Sequence, residues 1–210
     1  MKYDLHSHSK YSSDGILNPG KIVKVARKKG LSGIAVTDHD TIKGGLEAKK
    51  YENDDFKVII GSEVMTNKGE IIGLFLSEKV KSNNFYDVID EIRAQNGLIV
   101  VPHPFDEWRK SASLKKEDYK LVNNIEIFNS RCVKDKFNHK ALLFAKENNY
   151  GVTGGSDAHF ANEIGNAGVI IEEDDIETAI LKNNLQVFGK RSTPLNHVLT
   201  KMVKVWRKYI

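Results

Sequence analysis

Cysteine is nearly missing from this chain: Cys132 stands alone. Neither an intrachain disulfide nor a cysteine-based zinc ribbon can be built, so any metal must rely on histidines and carboxylates. Cys132 itself reads as a small, partly buried filler. No apolar run approaches the length of a membrane span, and Met1-Lys2-Tyr3-Asp4 enters a strand without a signal-peptide core. The expected location is therefore the cytoplasm, with no membrane partner. Repeats, low-complexity tracts and Pro/Gly linkers are absent. Net charge is only +4, compatible with an anionic substrate and too small to indicate nucleic acid.

What is present suits one globular domain: 210 residues, 40% hydrophobic and 29% charged. Asn18-Pro19 opens a helix closed by Gly30, with Pro early and Gly late. Gly33-Ile34-Ala35-Val36-Thr37 reads as a buried parallel strand ending in Asp38-His39-Asp40. A weak helix over 41–51 follows, and Val58 to Gly61 is a third strand ending in Ser62-Glu63. Glu70 to Leu76 carries no ligand at its far end and reads as a hairpin partner. Asn83 or Asn84 caps a helix ahead of the strand Leu98-Ile99-Val100-Val101, which runs into Pro102-His103-Pro104. Ile125 to Phe128 is a strand ending in Asn129-Ser130-Arg131, and Asp135 to Asn149 is a helix. Gly151 to Gly155 leads to Ser156-Asp157-Ala158-His159. A late strand (Ala167–Ile171) and a helix (Asp174–Asn183) follow. Residues 1–192 form the expected domain, and 193–210 a basic amphipathic helix, carrying Lys201, Lys204, Arg207 and Lys208, packed on it by its apolar side.

Strand, polar tip and helix recur, with reactive residue types where strands end. Alternation of strand and helix argues for a mostly parallel sheet, and tips converging from six strands argue that it closes into a barrel. The Gly-rich phosphate fingerprint of an open dinucleotide-binding sheet is missing after the first strand. His6 and His8, spaced by one residue, share a face of an extended run and can reach one cation. Alone, that pair is a weak signal.

Taken in order, His6-x-His8, Ser13-Asp14-Gly15, Thr37-Asp38-His39-Asp40, Gly61-Ser62-Glu63, Pro102-His103-Pro104 and Ser156-Asp157-Ala158-His159 resemble the polymerase and histidinol phosphatase (PHP) family of metal-dependent phosphoesterases. The resemblance implies an α/β fold, a distorted (β/α)7 barrel with two or three divalent metal ions at its C-terminal mouth. By position, it implies that His6, His8, Glu63 and Asp157 hold one metal and that Glu63 bridges to a second, bound also by His103. Asp14, His39 and His159 would hold the third. Where many relatives have a histidine seven residues after the bridging glutamate, this chain has Glu70, which would either ligate through oxygen and harden the second site or leave that site weak. Zn, Mn and Fe all suit such donors.

The chemistry implied is attack on phosphorus by water activated between metals, with no protein nucleophile. Arg131, at a strand tip facing the mouth, is the first choice for gripping the phosphate, with Arg109 and Lys110 next. Asp4 and Asp38 are candidates for orienting the ligand imidazoles, and Asp40 for capping the following helix. His139 and His197 lie outside the pattern, as solvated helix positions. The expected activity is hydrolysis of a phosphate monoester or short phosphodiester in a small phosphorylated metabolite, nucleotide or oligonucleotide end. The alternatives are a 3′–5′ exonuclease like the polymerase-associated members and a non-catalytic metal-binding scaffold.

Overall fold

The chain opens with β1 (Lys2–Asp4), α1 (Pro19–Lys28), β2 (Gly33–Val36), α2 (Lys43–Lys49), β3 (Lys57–Thr66), β4 (Gly69–Leu74), α3 (Phe85–Arg93) and β5 (Leu98–Val101). A short 3-10 turn, Asp118–Leu121, precedes β6 (Asn124–Asn129), α4 (Asp135–Asn148) and β7 (Gly151–Gly155). Then come β8 (Ala167–Ile170), α5 (Ile176–Leu181), β9 (Gln186–Gly189) and α6 (Pro194–Trp206). The computed structural model describes residues 1–210 except Asp174, Lys208 and Ile210. The expected helix start at Asp174 and the basic Lys208 thus lie outside the described residues. Asn18 and Asn84 start α1 and α3 by accepting the backbone N–H groups of Gly20 and Tyr86, each at 3.0 Å.

The strands lie in the order β7-β6-β5-β4-β3-β2-β1-β8-β9. β1 to β3 are parallel, β5 to β7 are parallel, and β4 joins the two sets by pairing antiparallel with β3 and β5. At the end where the polar tips gather, the sheet closes on itself. Ser7 bridges Ala158 in parallel, the Asp157 N–H donates to the His6 carbonyl at 2.7 Å, and the His8 N–H donates to the Ala158 carbonyl at 2.8 Å. At the other end β8 pairs antiparallel with β1 and β9 with β8. The result is a nearly closed nine-stranded barrel in one domain, the distorted barrel expected. Gly155 permits the closure, because a side chain there would collide with His6.

The barrel is filled by Tyr3, Leu5, Ala35, Ile59, Ile72, Leu98, Val100 and Val169, and α5 plugs its base with Ile176, Ala179 and Ile180. Each Leu, Ile or Val among them, withdrawn from water, contributes about 1.5–3 kcal/mol. Outside, α1 and α2 cover β2 and β3, and α3 covers β4 and β5, through two further apolar clusters.

Three elements differ from expectation. β3 does not end before Ser62-Glu63 but continues to Thr66, its first half paired with β2 and its second with β4. Glu63 therefore sits within a strand, where polar residues are tolerated because that face lines the mouth. β9 has no counterpart in the sequence reading, since Gln186–Gly189 is short and lies at the sheet edge. Finally, α6 meets the barrel through Asn196 and Thr200, and its apolar side faces outward. The polar side is held inward because Thr200 and Asn196 find partners there: Arg131 Nη2 donates to Thr200 Oγ1 at 2.9 Å, and Asn162 Nδ2 to Asn196 Oδ1 at 3.4 Å.

Candidate metal centre

All nine candidate ligands meet at the closed end of the barrel. His6 and His8 stand with their Nε2 atoms 3.2 Å apart. Asp157 Oδ1 lies 3.2 Å from His8 Nε2 and 3.7 Å from His6 Nε2, while Glu63 Oε2 lies 3.4 and 3.5 Å from the same nitrogens. Glu63 Oε1 reaches His103 Nε2 at 3.1 Å. On the other side, Asp14 spans His159 Nε2 at 3.2 Å and His39 Nε2 at 3.5 Å, and His39 Nδ1 approaches Glu63 Oε2 at 3.2 Å. Among the described residues, three groups have donor atoms close enough to surround an ion: His6-His8-Asp157, His8-Asp14-His39-His159 and His39-Glu63-Glu70. These groups differ from the implied division: His8 joins Asp14, His39 and His159 as well as His6 and Asp157, His39 also joins Glu63 and Glu70, and His103 falls in none of the three.

The local fold explains how each residue arrives. In the β3–β4 hairpin Glu63 lies opposite Ile72, and Met65 opposite Glu70. Directly paired residues share a face, so Glu70 joins Glu63 on the inner one. Glu70 Oε2 lies 3.8 Å from His103 Nε2. His103 and Asp157 both hold positive φ, 32° and 55°, a conformation costly for residues with a Cβ. At Asp157 it is held by the bond to the His6 carbonyl.

Burial and charge work against each other here. Burial opposes the charged form of His6, but Asp157, Glu126 and Glu63 outweigh it and raise its pKa well above the ordinary value. In His39 the same contest, won by Glu63 and Asp14, gives about 9. His8 goes the other way, to about 4, through burial and the neighbouring His159. Glu63 and Asp157 resist the upward push of burial and are held well below the carboxylate range, Glu63 by His6 and His39, Asp157 by Arg109 and His6. Glu70 is pushed up by burial and by Glu63.

Two observations test whether a cation fits. Glu63 Oε2 and Asp157 Oδ1 are buried and accept no hydrogen bond, and both face the imidazole nitrogens. An ionised oxygen so placed costs several kcal/mol unless a positive charge meets it. The donors, imidazole nitrogens and carboxylate oxygens, are those that bind Zn, Mn or Fe. The residues fit divalent ions.

Behind the ligands lies a residue that motif reading missed. Glu126, buried in β6, is linked to His6 Nδ1 at 2.9 Å and accepts the His103 backbone N–H at 2.9 Å and Asn129 Nδ2 at 3.0 Å. Asn129 Nδ2 also donates to Asp157 Oδ2 at 3.1 Å. Its only signal was an acid inside the apolar run Ile125-Glu126-Ile127-Phe128. The orienting role foreseen for Asp4 and Asp38 falls to Glu126: Asp4 accepts backbone N–H groups of Ser156 and Gly165, and Asp38 binds Ser9. Asp40 does not cap α2 but accepts the Met65 N–H at 2.9 Å. Glu126→Gln is expected to weaken metal binding about 10–100-fold, because the amide no longer fixes the His6 tautomer. Competition against a fluorescent chelator measures it, and an unchanged affinity would remove Glu126 from the centre.

Arg131 is not at the mouth. Its guanidinium is buried, bonded to both Glu163 oxygens at 3.2 and 3.1 Å and to Thr200, so it ties the β6 tip to α6. A strand-tip position did not reveal this, because Glu163 and Thr200 are distant in sequence. Arg131→Ala is expected to cost about 3–5 kcal/mol in thermal unfolding, since the buried Glu163 would lose its counter-charge and keep only its bonds from the His159 and Phe160 N–H groups. Arg109, the second choice, does reach the centre, where its Nη1 donates to Asp157 Oδ2. A cavity of about 320 Å³ opens above, lined among others by Asp14, His39, Glu70, Arg109, Lys110 and Lys204. His139 is exposed, as foreseen, while His197 is half-buried beside Cys132 in a separate cavity.

The PHP domain model matches residues 4–195, a span that contains every one of these candidate ligands. The chain belongs to the PHP domain family. An uncharacterised protein of Methanocaldococcus jannaschii is 39% identical over 184 residues, covering 84% of this PHP chain and 73% of its relative. A 5′-3′ exoribonuclease of Haemophilus influenzae is 43% identical over 67 residues, 31% of this chain and 24% of that enzyme. In fold, the PHP chain resembles a two-domain protein from Bacteroides vulgatus containing a predicted PHP-like metal-dependent phosphoesterase. The TM-score is 0.75 at 19% identity, over 90% of this chain and 65% of that one.

Proposed function

We propose that this PHP domain hydrolyses a phosphate monoester or short phosphodiester in a small metabolite, a nucleotide or an oligonucleotide end. The observation that carries the reading is the pair of buried, unbonded oxygens, Glu63 Oε2 and Asp157 Oδ1, set among imidazoles beneath an open cavity. His6, His8, Asp157, Glu63, His103, Glu70, Asp14, His39 and His159 would hold two or three divalent ions. Bound there, such ions would supply a nucleophile from water at neutral pH and take up charge on the phosphoryl oxygens.

The remaining roles belong to the chain. Glu126 fixes His6 through Nδ1 and so keeps Nε2 turned into the centre. The Asp157 carbonyl, 2.8 Å from His159 Nδ1, does the same for His159. Arg109 takes the phosphate-gripping part first given to Arg131: one Nη is held by Asp157, and the guanidinium lines the cavity, where its other donors can meet phosphoryl oxygens. Water adds to phosphorus, the bond to the leaving alcohol oxygen breaks, and that oxygen takes up a proton. A cavity near 320 Å³ suits a group of nucleotide size rather than a duplex.

The partial likeness to an exoribonuclease favours a second reading, removal of nucleotides from the end of a single strand. One experiment separates the cases: phosphate and nucleotide release with Zn, Mn or Fe, from mononucleotides, sugar phosphates and single-stranded oligonucleotides labelled at either end. Release from the small esters supports the first reading, and faster stepwise shortening of the oligonucleotide supports the second, its polarity read from the label. Stoichiometric metal without release from any substrate would leave a metal-stabilised binding protein.

A further inference from the structure

The last helix brings a cation to the cavity over the metal centre. Thr200, Lys204 and Arg207 follow one another at helical spacings of four and three, so they share one side of α6 and its C-terminal cap. The outer two hold that side inward. Thr200 accepts from Arg131, whose guanidinium is bonded to Glu163, and Glu163 in turn accepts the His159 N–H at 3.0 Å. Arg207 Nη1 donates to the Ser12 carbonyl, while Ser12 Oγ donates to Asp14 Oδ1 at 3.1 Å and accepts the His39 N–H at 3.2 Å. One turn to either side of Lys204, the helix is therefore pinned to the segments that present His159 and Asp14. Lys204 sits between the pins and lines the cavity.

Nothing in the described chain meets its charge. The Lys204 ammonium has no hydrogen-bond or ion-pair partner among the described residues, and the same is true of Lys110 on the loop after β5. Of the acids lining the cavity, Asp14 and Glu70 are candidate metal ligands and Asp40 is engaged by the Met65 N–H. Positive charge thus reaches the cavity from two separate elements, Arg109 and Lys110 from one and Lys204 from the other. A cleft so furnished concentrates anions. A phosphate ester presents more anionic oxygen than a single guanidinium fork can meet, which leaves a place for a second cation. The PHP match ends at residue 195, in the first turn of α6, so the family motif gives Lys204 no part.

Resting on the hydrolytic reading above, we propose that Lys204 is a substrate-binding residue whose ammonium meets an anionic oxygen of the bound phosphate ester, so that α6 completes the pocket. The test compares variants of the full, metal-loaded chain by calorimetric titration with inorganic phosphate and by steady-state kinetics on whichever ester is turned over. Lys204→Ala is expected to weaken phosphate binding and to raise KM, each roughly fivefold, the size of a charged contact open to water, with kcat and metal content unchanged. The thermal midpoint should also stay in place, because the Lys204 side chain is exposed. Lys204→Arg should restore both quantities. Lys201→Ala removes the same charge from the same helix outside the cavity lining, and should alter neither. Phosphate binding that is undetectable in the wild type, unchanged in Lys204→Ala, or weakened equally in Lys201→Ala would overturn the proposal. The two readings fail separately. Phosphate binding that depends on Lys204, without release from any ester, keeps the anion site and removes the hydrolysis; turnover with phosphate binding and KM indifferent to Lys204 removes the anion site alone.

Discussion

Asp157→Asn is expected to lower phosphoester hydrolysis roughly a thousandfold, about 4 kcal/mol of barrier, while leaving the barrel folded. The substitution removes a charge and hardly changes volume. It spares the backbone bond by which the Asp157 N–H closes the barrel onto His6. What it removes is the oxygen that faces His6 and His8 without a hydrogen bond of its own, and it loosens the hold on Arg109. Both the proposed cation site and the guanidinium proposed to grip the phosphate are thus affected by one change. His8→Ala should match it, because the His8 nitrogen faces both Glu63 and Asp157. Arg109→Ala should act differently, raising KM with metal content unchanged. Turnover assays beside circular dichroism and metal analysis make the distinction, and full activity in both Asp157→Asn and His8→Ala would defeat the phosphoesterase reading.

The parts of this centre legible in the sequence share one property: their chemistry lies within a few residues of a strand end. His6-x-His8, Asp38-His39 and Asp157-Ala158-His159 announce themselves because strand alternation and tip position suffice to aim them. Glu70 was visible as a ligand candidate, yet only the hairpin register, with Met65 opposite it, shows how it reaches the face that Glu63 occupies. What stayed hidden depends on partners far along the chain. Glu126 answers to His6, 120 residues away, and Arg131 to Thr200, 69 residues away. No periodicity carries such pairings. The orientation of α6 shows the same limit, because amphipathic spacing establishes that a helix has two sides and leaves open which one finds better partners. Here a buried guanidinium and an asparagine drew the polar side inward.

Removing metal should be visible without any substrate. An ion bound only by the folded chain stabilises it by about 4 kcal/mol when present at a thousand times its dissociation constant, which for a domain of this size corresponds to roughly 10 °C in the thermal midpoint. Exhaustive chelation is therefore expected to lower the midpoint by about that amount, and addition of Zn or Mn to restore it. The effect must also depend on pH in a definite direction. Because Glu63 and Asp14 overcome burial and hold His39 at about 9, the ring carries a proton at neutral pH that an incoming cation has to displace. Metal affinity should accordingly rise as pH increases from 6 towards 9, the proton-bound form giving way, and flatten above it. Calorimetry in buffers of different ionisation enthalpy would register the released protons. A midpoint indifferent to chelation, in protein shown by elemental analysis to have carried metal beforehand, would mean that the buried oxygens of Glu63 and Asp157 are satisfied by something other than a cation, and the ligand assignment would have to be abandoned.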